Sequence, residues 1–216
     1  KKGVEIRIDM EAIVLSNQAS TAGTGNGATN RKFGGMRAWL ASNDDLGGGG
    51  ASGGFNTSTS VVDAATNGTQ RAFTKAILDS VILSTYNAGG NPSTLMVSPY
   101  VKTVFSRFMD DANVVPLRKE VKGKSQATIV AAADMYQSDF GLIAVVPNRQ
   151  MARAGATIAR NAFLIDPKMV SLGVFDDIQL VKPAKTGDAE KRVLVTEYTL
   201  LMQNEAAHGV AADLYG

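Results

Sequence analysis

Cysteine is missing from all 216 residues. That rules out a disulfide framework, a thiol nucleophile and any cysteine-ligated metal, and it is compatible with a reducing compartment. Histidine occurs once, as His208, so no second histidine can complete a zinc site or share a catalytic triad with it. No apolar run reaches the roughly 18 residues that a membrane-spanning helix needs. No basic-then-apolar leader opens the sequence either. A net charge of only +2, from 22 basic and 20 acidic side chains, lacks the basic excess of a dedicated nucleic-acid binder. The nearest approach to one is Arg118, Lys119, Lys122 and Lys124, which reads as a solvated loop in preference to a phosphate-contacting patch. Aromatic residues are scarce, at 6%.

What remains is an ordinary globular chain. An apolar fraction of 44% excludes wholesale disorder, and the length allows one or two domains with a true core. The 22 glycines suit a sheet-containing protein with many turns and close backbone contacts.

The pattern along the chain predicts mixed elements. Val4, Ile8, Ala12, Leu15 and Ala19 recur at spacings of four and three, which predicts a helix to about Ala19. Only Lys1-Lys2-Gly3 precedes it, without a convincing cap, so the expectation is that upstream residues have been removed. Loop chemistry follows from Ser20 to Gly27. A short ordered piece around Phe33–Leu40, with Trp39, is expected to pack back on the helix. Gly47–Gly54 is expected to be an exposed, flexible linker and the best boundary between substructures. Thr66 or Thr69 would cap a second helix ending near Asn87 and closed by Gly89-Gly90, with Phe73, Ile77, Leu78, Val81 and Ile82 facing the core. Asn91-Pro92 turns into a buried strand, Thr94–Val97. Ser98-Pro99 then opens a third helix to about Met109.

From residue 112 onward the texture is that of strands. Ala127–Ser138 and Leu142–Val146 would pair around Asp139-Phe140-Gly141. Ala162–Ile165 is a further strand, ended by Asp166-Pro167. Ile178–Lys182 and Arg192–Asn204 would form a long hairpin turning at Ala184–Asp188. In its second arm Val193, Val195, Glu197, Thr199 and Leu201 share one face, and Leu194, Thr196, Tyr198, Leu200 and Met202 the other. No fixed-period repeat is present. The fold class is α+β.

No catalytic constellation emerges. Gly123-Lys124-Ser125 ends like a phosphate-binding loop, but the glycine required five positions earlier is Arg118, and strand texture follows. Gly23-Thr24-Gly25-Asn26-Gly27 follows a helix, where a dinucleotide fingerprint needs a strand. Glu205 and Asp213 could orient His208, yet one histidine between alanines and glycine is more often structural. Asp44-Asp45, Asp110-Asp111 and Asp176-Asp177 read as caps or turns, since adjacent carboxylates do not face each other across a substrate. The sequons at Asn56 and Asn67 carry no weight without a secretory signal. No catalytic, cofactor-binding or metal-binding residue is assigned, no cofactor is expected, and the chain reads as a non-enzyme.

Several stretches resemble the major head proteins of tailed bacteriophages with the Hong Kong 97-type (HK-97-like) fold. They are KKGVEIRIDMEAIVLSNQA from Lys1, Arg71–Ile77 with NPSTLMVSP from Asn91, QATIVAAADMYQSDFGLIAVVPN from Gln126, and Ala162–Leu214 with AFLIDP, KTGDAEKR and EYTLLMQNEAAHGVAADL. They cover most of the chain apart from the glycine-rich region near 43–60. The resemblance implies an α+β capsid fold divided between a peripheral and an axial domain. Residues 1–60 (the end of a long spine helix and the glycine-rich loop) and 166–204 (the long hairpin) would be peripheral. Residues 61–165, a central sheet flanked by helices, and the return at 205–216 would be axial. An N-terminal arm and extended loop would precede Lys1.

It further implies an icosahedral shell of homo-pentamers and homo-hexamers enclosing double-stranded DNA without reading its sequence, and no contact with a membrane. Such a virion capsid would assemble in the bacterial host cytoplasm, with portal, scaffold or decoration proteins as possible partners. The rival readings are an encapsulin-like nanocompartment shell, an enzyme centred on His208, and a phage decoration or tail component.

Overall fold

The computed structural model describes residues 2–25, 28–110, 134–184, 187–188 and 190–215. In chain order the elements are α1 (Lys2–Val14), α2 (Met36–Trp39), β1 (Asp44–Asp45), β2 (Gly54–Asn56), β3 (Val61–Asp63), α3 (Lys75–Asn87), β4 (Thr94–Val97) and α4 (Pro99–Ser106), the last continued by a 3-10 turn to Asp110. Then come β5 (Met135–Ser138), β6 (Gly141–Pro147), α5 (Arg149–Arg153), α6 (Ala156–Ala159), β7 (Ala162–Ile165), β8 (Val170–Val181), β9 (Val193–Met202) and β10 (Gly209–Ala211). The mixed α+β class expected from the sequence is what folds.

A six-stranded sheet in the order β1-β10-β7-β4-β6-β5 organises the core. Parallel pairs β1/β10 and β4/β6 join antiparallel pairs β10/β7, β7/β4 and β6/β5. Strand side chains alternate between faces, and the two apolar clusters follow that alternation. Leu95, Val97, Ala162, Leu164 and Ala211 face a cluster with Leu78, Val81 and Ile82 of α3 and Val101 and Phe105 of α4. On the opposite face Phe163, Ile165 and Val210 join Leu15, Met36, Leu40, Met151 and Ile158. All four residues of β7 are buried, as a strand covered on both faces must be.

Helix ends obey their caps. Ser98 accepts from the Val101 N–H with Pro99 in the first turn, as expected. For α3 the cap is Thr74, whose hydroxyl accepts from Ile77 N–H, not Thr66 or Thr69. Tertiary pairing holds the earlier residues extended: Thr66 bridges Ala51, and Arg71 bridges Leu214. The first helix also ends early, at Val14 and not near Ala19. Ser16 Oγ donates to the Ile13 carbonyl, while Asn17 and Gln18 bond the backbones of Ala65 and Phe33 and draw the chain off the helix axis. Of its predicted apolar face, Val4 is 63% exposed and only Leu15, past the last turn, is buried. The piece carrying Trp39 does pack there, through Met36 against Leu15.

The glycine-rich stretch is not a free linker. Gly47 N–H donates to Asp213 Oδ2 at 3.0 Å, Thr69 N–H to the Gly48 carbonyl at 2.9 Å, and Ala51 and Thr66 bond each other. A Cβ at Gly47 would strike the Thr69 carbonyl, and one at Gly53 the carbonyls of Asp63 and Ala38. Glycine serves here for close backbone approach, not for flexibility. Two further differences concern strands and helices. The hairpin arm expected at Ile178 begins at Val170, and α5 and α6 fill a region with no predicted element. The part of the strand expected at 127–133 lies outside the described residues.

Candidate assembly surface

Among the described residues, strands β8 and β9 pair only with each other, as a two-stranded ribbon separate from the central sheet. Twelve residues at about 3.3 Å each give β8 a length of roughly 40 Å. Residues of β9 alternate as the sequence predicts. The face with Leu194, Thr196, Tyr198, Leu200 and Met202 is covered or half-covered, and the face with Val193, Val195, Glu197, Thr199 and Leu201 is open. Helix α1 packs against β9, and Phe33 meets Tyr198 edge-on at 5.1 Å.

Exposed apolar side chains lie on both faces of the ribbon. Phe175 is 83% exposed and Leu180 56%; Val181, Val193, Val195 and Leu201 belong to the open face, whereas Leu172, Val174 and Leu180 share the face of their partners Leu200, Tyr198 and Leu194. A bulge explains the first figure. Val174 pairs with Tyr198 and Asp176 with Glu197, so Phe175 is the extra residue with no partner across the ribbon. A second irregularity between Asp176 and Gln179 absorbs Asp177, whose Oδ1 accepts from Ile178 N–H at 2.7 Å. A two-stranded ribbon of this length is marginal without further packing, and exposed apolar side chains grouped along it mark a contact surface.

Beside its base lies a cleft of about 180 Å³, lined by Phe33, Trp39, Phe55, Val61, Val62 and Leu200 among others. Phe55 stacks on Trp39 at 6.3 Å and is still 55% exposed. A second apolar area lies on the β5–β6 hairpin, where Met135, Phe140 and Leu142 are exposed and Phe140 stacks on Tyr86 at 4.6 Å. Three contacts fasten that hairpin to α3: this stack, a hydrogen bond of 2.5 Å from the Tyr136 hydroxyl to Asp79, and the Lys75 ammonium over the Tyr136 ring at 5.9 Å. Burial, followed by the Asp79 contact, pushes the Tyr136 phenol up to about 12.

The residues considered for chemistry have structural duties. His208 is 1% exposed, and its Nδ1 accepts from the Asp166 backbone N–H at 3.1 Å. Burial holds its pKa below the ordinary value, against the pull of the Met169 backbone, Asp166 and Glu205. Neither proposed orienting carboxylate bonds the ring. Glu205 accepts from Ala41 and Ser42 N–H and from Ser42 Oγ, and Asp213 is spent on Gly47. Asp45 pairs with Arg71, and Asp176 and Asp177 sit at the ribbon bulges. Asn56 ties its own turn by accepting from Ser58 and Thr59 N–H. Gly23 and Gly25 lie in a loop flanked by a Thr21–Lys32 bridge.

The Gly123-Lys124-Ser125 segment, the basic residues 118–124 and Asp111 lie outside the described residues. Among the described residues no group of three or more His, Asp or Glu side chains is placed to hold a metal ion, and no helix is long and apolar enough to cross a membrane.

Sequence reasoning overlooked two features. Arg37 is 1% exposed in α2, with Nη1 donating to the Leu40 carbonyl at 3.4 Å and Asp44 and Asp213 nearby to offset its buried charge. Only its location three residues before Leu40 hinted at burial. The aromatic cleft was also missed, because Phe33, Trp39 and Phe55 come from three separate segments.

Comparison with known proteins bears on what such a surface is for. A family model described as SU10 major capsid protein matches residues 1–215. A search of curated proteins finds no match.

Proposed function

Since the chain belongs to the SU10 major capsid protein family, we propose that it builds an icosahedral phage head of pentamers and hexamers around double-stranded DNA. The family is a structural one, and its members form the capsid of the virion. The observation that carries the finer reading is the β8–β9 ribbon. It is a long element outside the central sheet with many exposed apolar side chains, and a neighbouring subunit is the cover a shell supplies for them.

In this reading the Hong Kong 97-type fold divides the work. Residues 1–60 and 166–204 form the peripheral domain, with α1 as the end of the spine helix and the ribbon as its sheet. Residues 61–165 and 205–216 form the axial domain, with β1 crossing from the first part into the axial sheet. Support for the return at 205–216 comes from β10, which lies between β1 and β7. Axial domains would meet around the symmetry axes and peripheral domains would join capsomers, each contact closing into rings and rings into a shell. Strength would come from many modest interfaces acting together. A net charge of +2 suits a wall around dense DNA, whereas tight binding to DNA would require many neutralised phosphates. Assembly in the host cytoplasm, with portal and scaffold or decoration proteins as partners, belongs to the same reading.

Negative-stain electron microscopy with mass photometry on the complete gene product tests it. Closed shells or rings of five and six subunits are the expected outcome. A strict monomer across protein and salt concentration would contradict it.

A further inference from the structure

We propose that Phe175 is a knob that enters the Phe33–Trp39–Phe55 cleft of a neighbouring copy, guided by acidic residues beside the knob and basic residues beside the cleft. The inference rests on the shell reading above for the existence of a neighbour, and names the contact. Three observations carry it.

The first is shape. Phe175 has no partner across the ribbon and stands 83% exposed at its bulge. The cleft holds about 180 Å³, and a cavity of roughly 150 Å³ lined by apolar side chains already accepts benzene. Aromatic and aliphatic side chains share its walls with the hydroxyls of Ser20, Ser60 and Thr199, and Phe55 is exposed at the rim and stacked on Trp39, so a phenyl ring would find edge or offset ring partners.

The second is charge. Asp176 lies directly opposite Glu197 on the ribbon, and Asp177 follows. All three are exposed, and among the described residues none has a salt-bridge partner. Like charges facing each other across a strand pair destabilise it, so a cation supplied there would stabilise the pair. Arg31 and Lys32, immediately before Phe33, are exposed and likewise without a salt-bridge partner among the described residues. Asp63, the acidic residue close to the cleft on β3, is taken up by Asn56 Nδ2 at 2.8 Å.

The third is placement. The cleft includes Thr199 and Leu200, and Thr199 pairs with Gly173, two residues from Phe175. The knob on the ribbon and the cleft beside it therefore lie close together. That is the arrangement in which a two-fold contact between copies fills both clefts at once.

The experiment introduces a photoactivatable phenylalanine analogue at position 175 and assembles a mixture of isotopically heavy and light subunits. Cross-links joining position 175 of one isotope to residues 31–39 or 55–62 of the other are the expected product. Cross-links confined to one copy, or leading elsewhere, overturn the inference. A charge swap gives a second reading. Asp176→Lys with Asp177→Lys should lower particle yield at least ten-fold, and adding Arg31→Glu with Lys32→Glu should restore most of it. Failure of the second pair to rescue the first counts against the contact. If the unsubstituted protein forms particles while either test fails, only this contact is wrong. If the unsubstituted protein forms none, the shell reading fails and takes this inference with it.

Discussion

Strands β7 and β9 are both rich in apolar residues, and they meet opposite fates. Ala162-Phe163-Leu164-Ile165 is buried along its whole length between two clusters. Of the ten residues of β9, only Leu200 is buried. The difference does not come from side-chain type, since Val193, Leu194, Val195 and Leu201 would suit a core as well as any residue of β7. It comes from what lies above each face. The central sheet has α3 and α4 on one side and α2, α5, α6 and the end of α1 on the other. The ribbon has α1 under part of one face and nothing described over the other. Apolar content thus marks what must be covered, and among the described residues the sheet is covered on both faces and the ribbon on part of one.

That contrast can be broken from the sheet side first. Leu164→Ala should destabilise the subunit by about 2–5 kcal/mol, the cost of lost burial plus an unrelaxed cavity, read from a urea denaturation midpoint. Leu180→Ala in the ribbon should change subunit stability by no more than about 0.5 kcal/mol. Substituting Leu180→Glu should leave the folded subunit intact while particle yield collapses. If Leu180→Glu particles form normally, the ribbon is not a contact surface.

A smaller effect concerns acid. Burial depresses the His208 pKa, so the folded protein resists a proton that the unfolded chain accepts near pH 6.5. Stability from this group is complete above about pH 6.5 and is lost as pH falls toward the lowered folded value. Asp44, raised by burial, works the other way: the folded state gains from its protonation at more acidic pH. Urea midpoints at pH 8 and pH 5.5 should therefore differ for the wild type, and His208→Gln should shrink that difference. An unchanged difference would show that other groups control it. Smallest of all, Thr74→Ala should cost about 1 kcal/mol by removing the α3 cap, whereas Thr69→Ala and Thr66→Ala, the caps expected from sequence, should cost less.

These same residues show how much of the molecule was legible. The α+β class, β4, the cap of α4, the β5–β6 turn and the two faces of β9 follow from local pattern and local chemistry, and local rules suffice there. The misses share a cause: long-range pairing overrode the local signal. Thr66 and Arg71 are held extended by partners at Ala51 and Leu214, which delays the start of α3. The glycines at 47–54 look like a linker until Thr69, Asp213 and Asp63 pack against them. The first half of β8 contains Gly173 and Asp176-Asp177, poor strand formers, and two bulges accommodate the acidic pair. The aromatic cleft gathers residues from distant segments and the ribbon, so no window of sequence contains it. The family resemblance gave the role, but not which face of the ribbon stays open.

Hydrogen–deuterium exchange on assembled particles and on dissociated subunits compares the two regions most directly. In particles, peptides from 170–181 and 193–202 should become far more protected while those from 94–97 and 162–165 stay as they were. Equal exchange of the ribbon in both forms would contradict the claim that neighbouring subunits cover it.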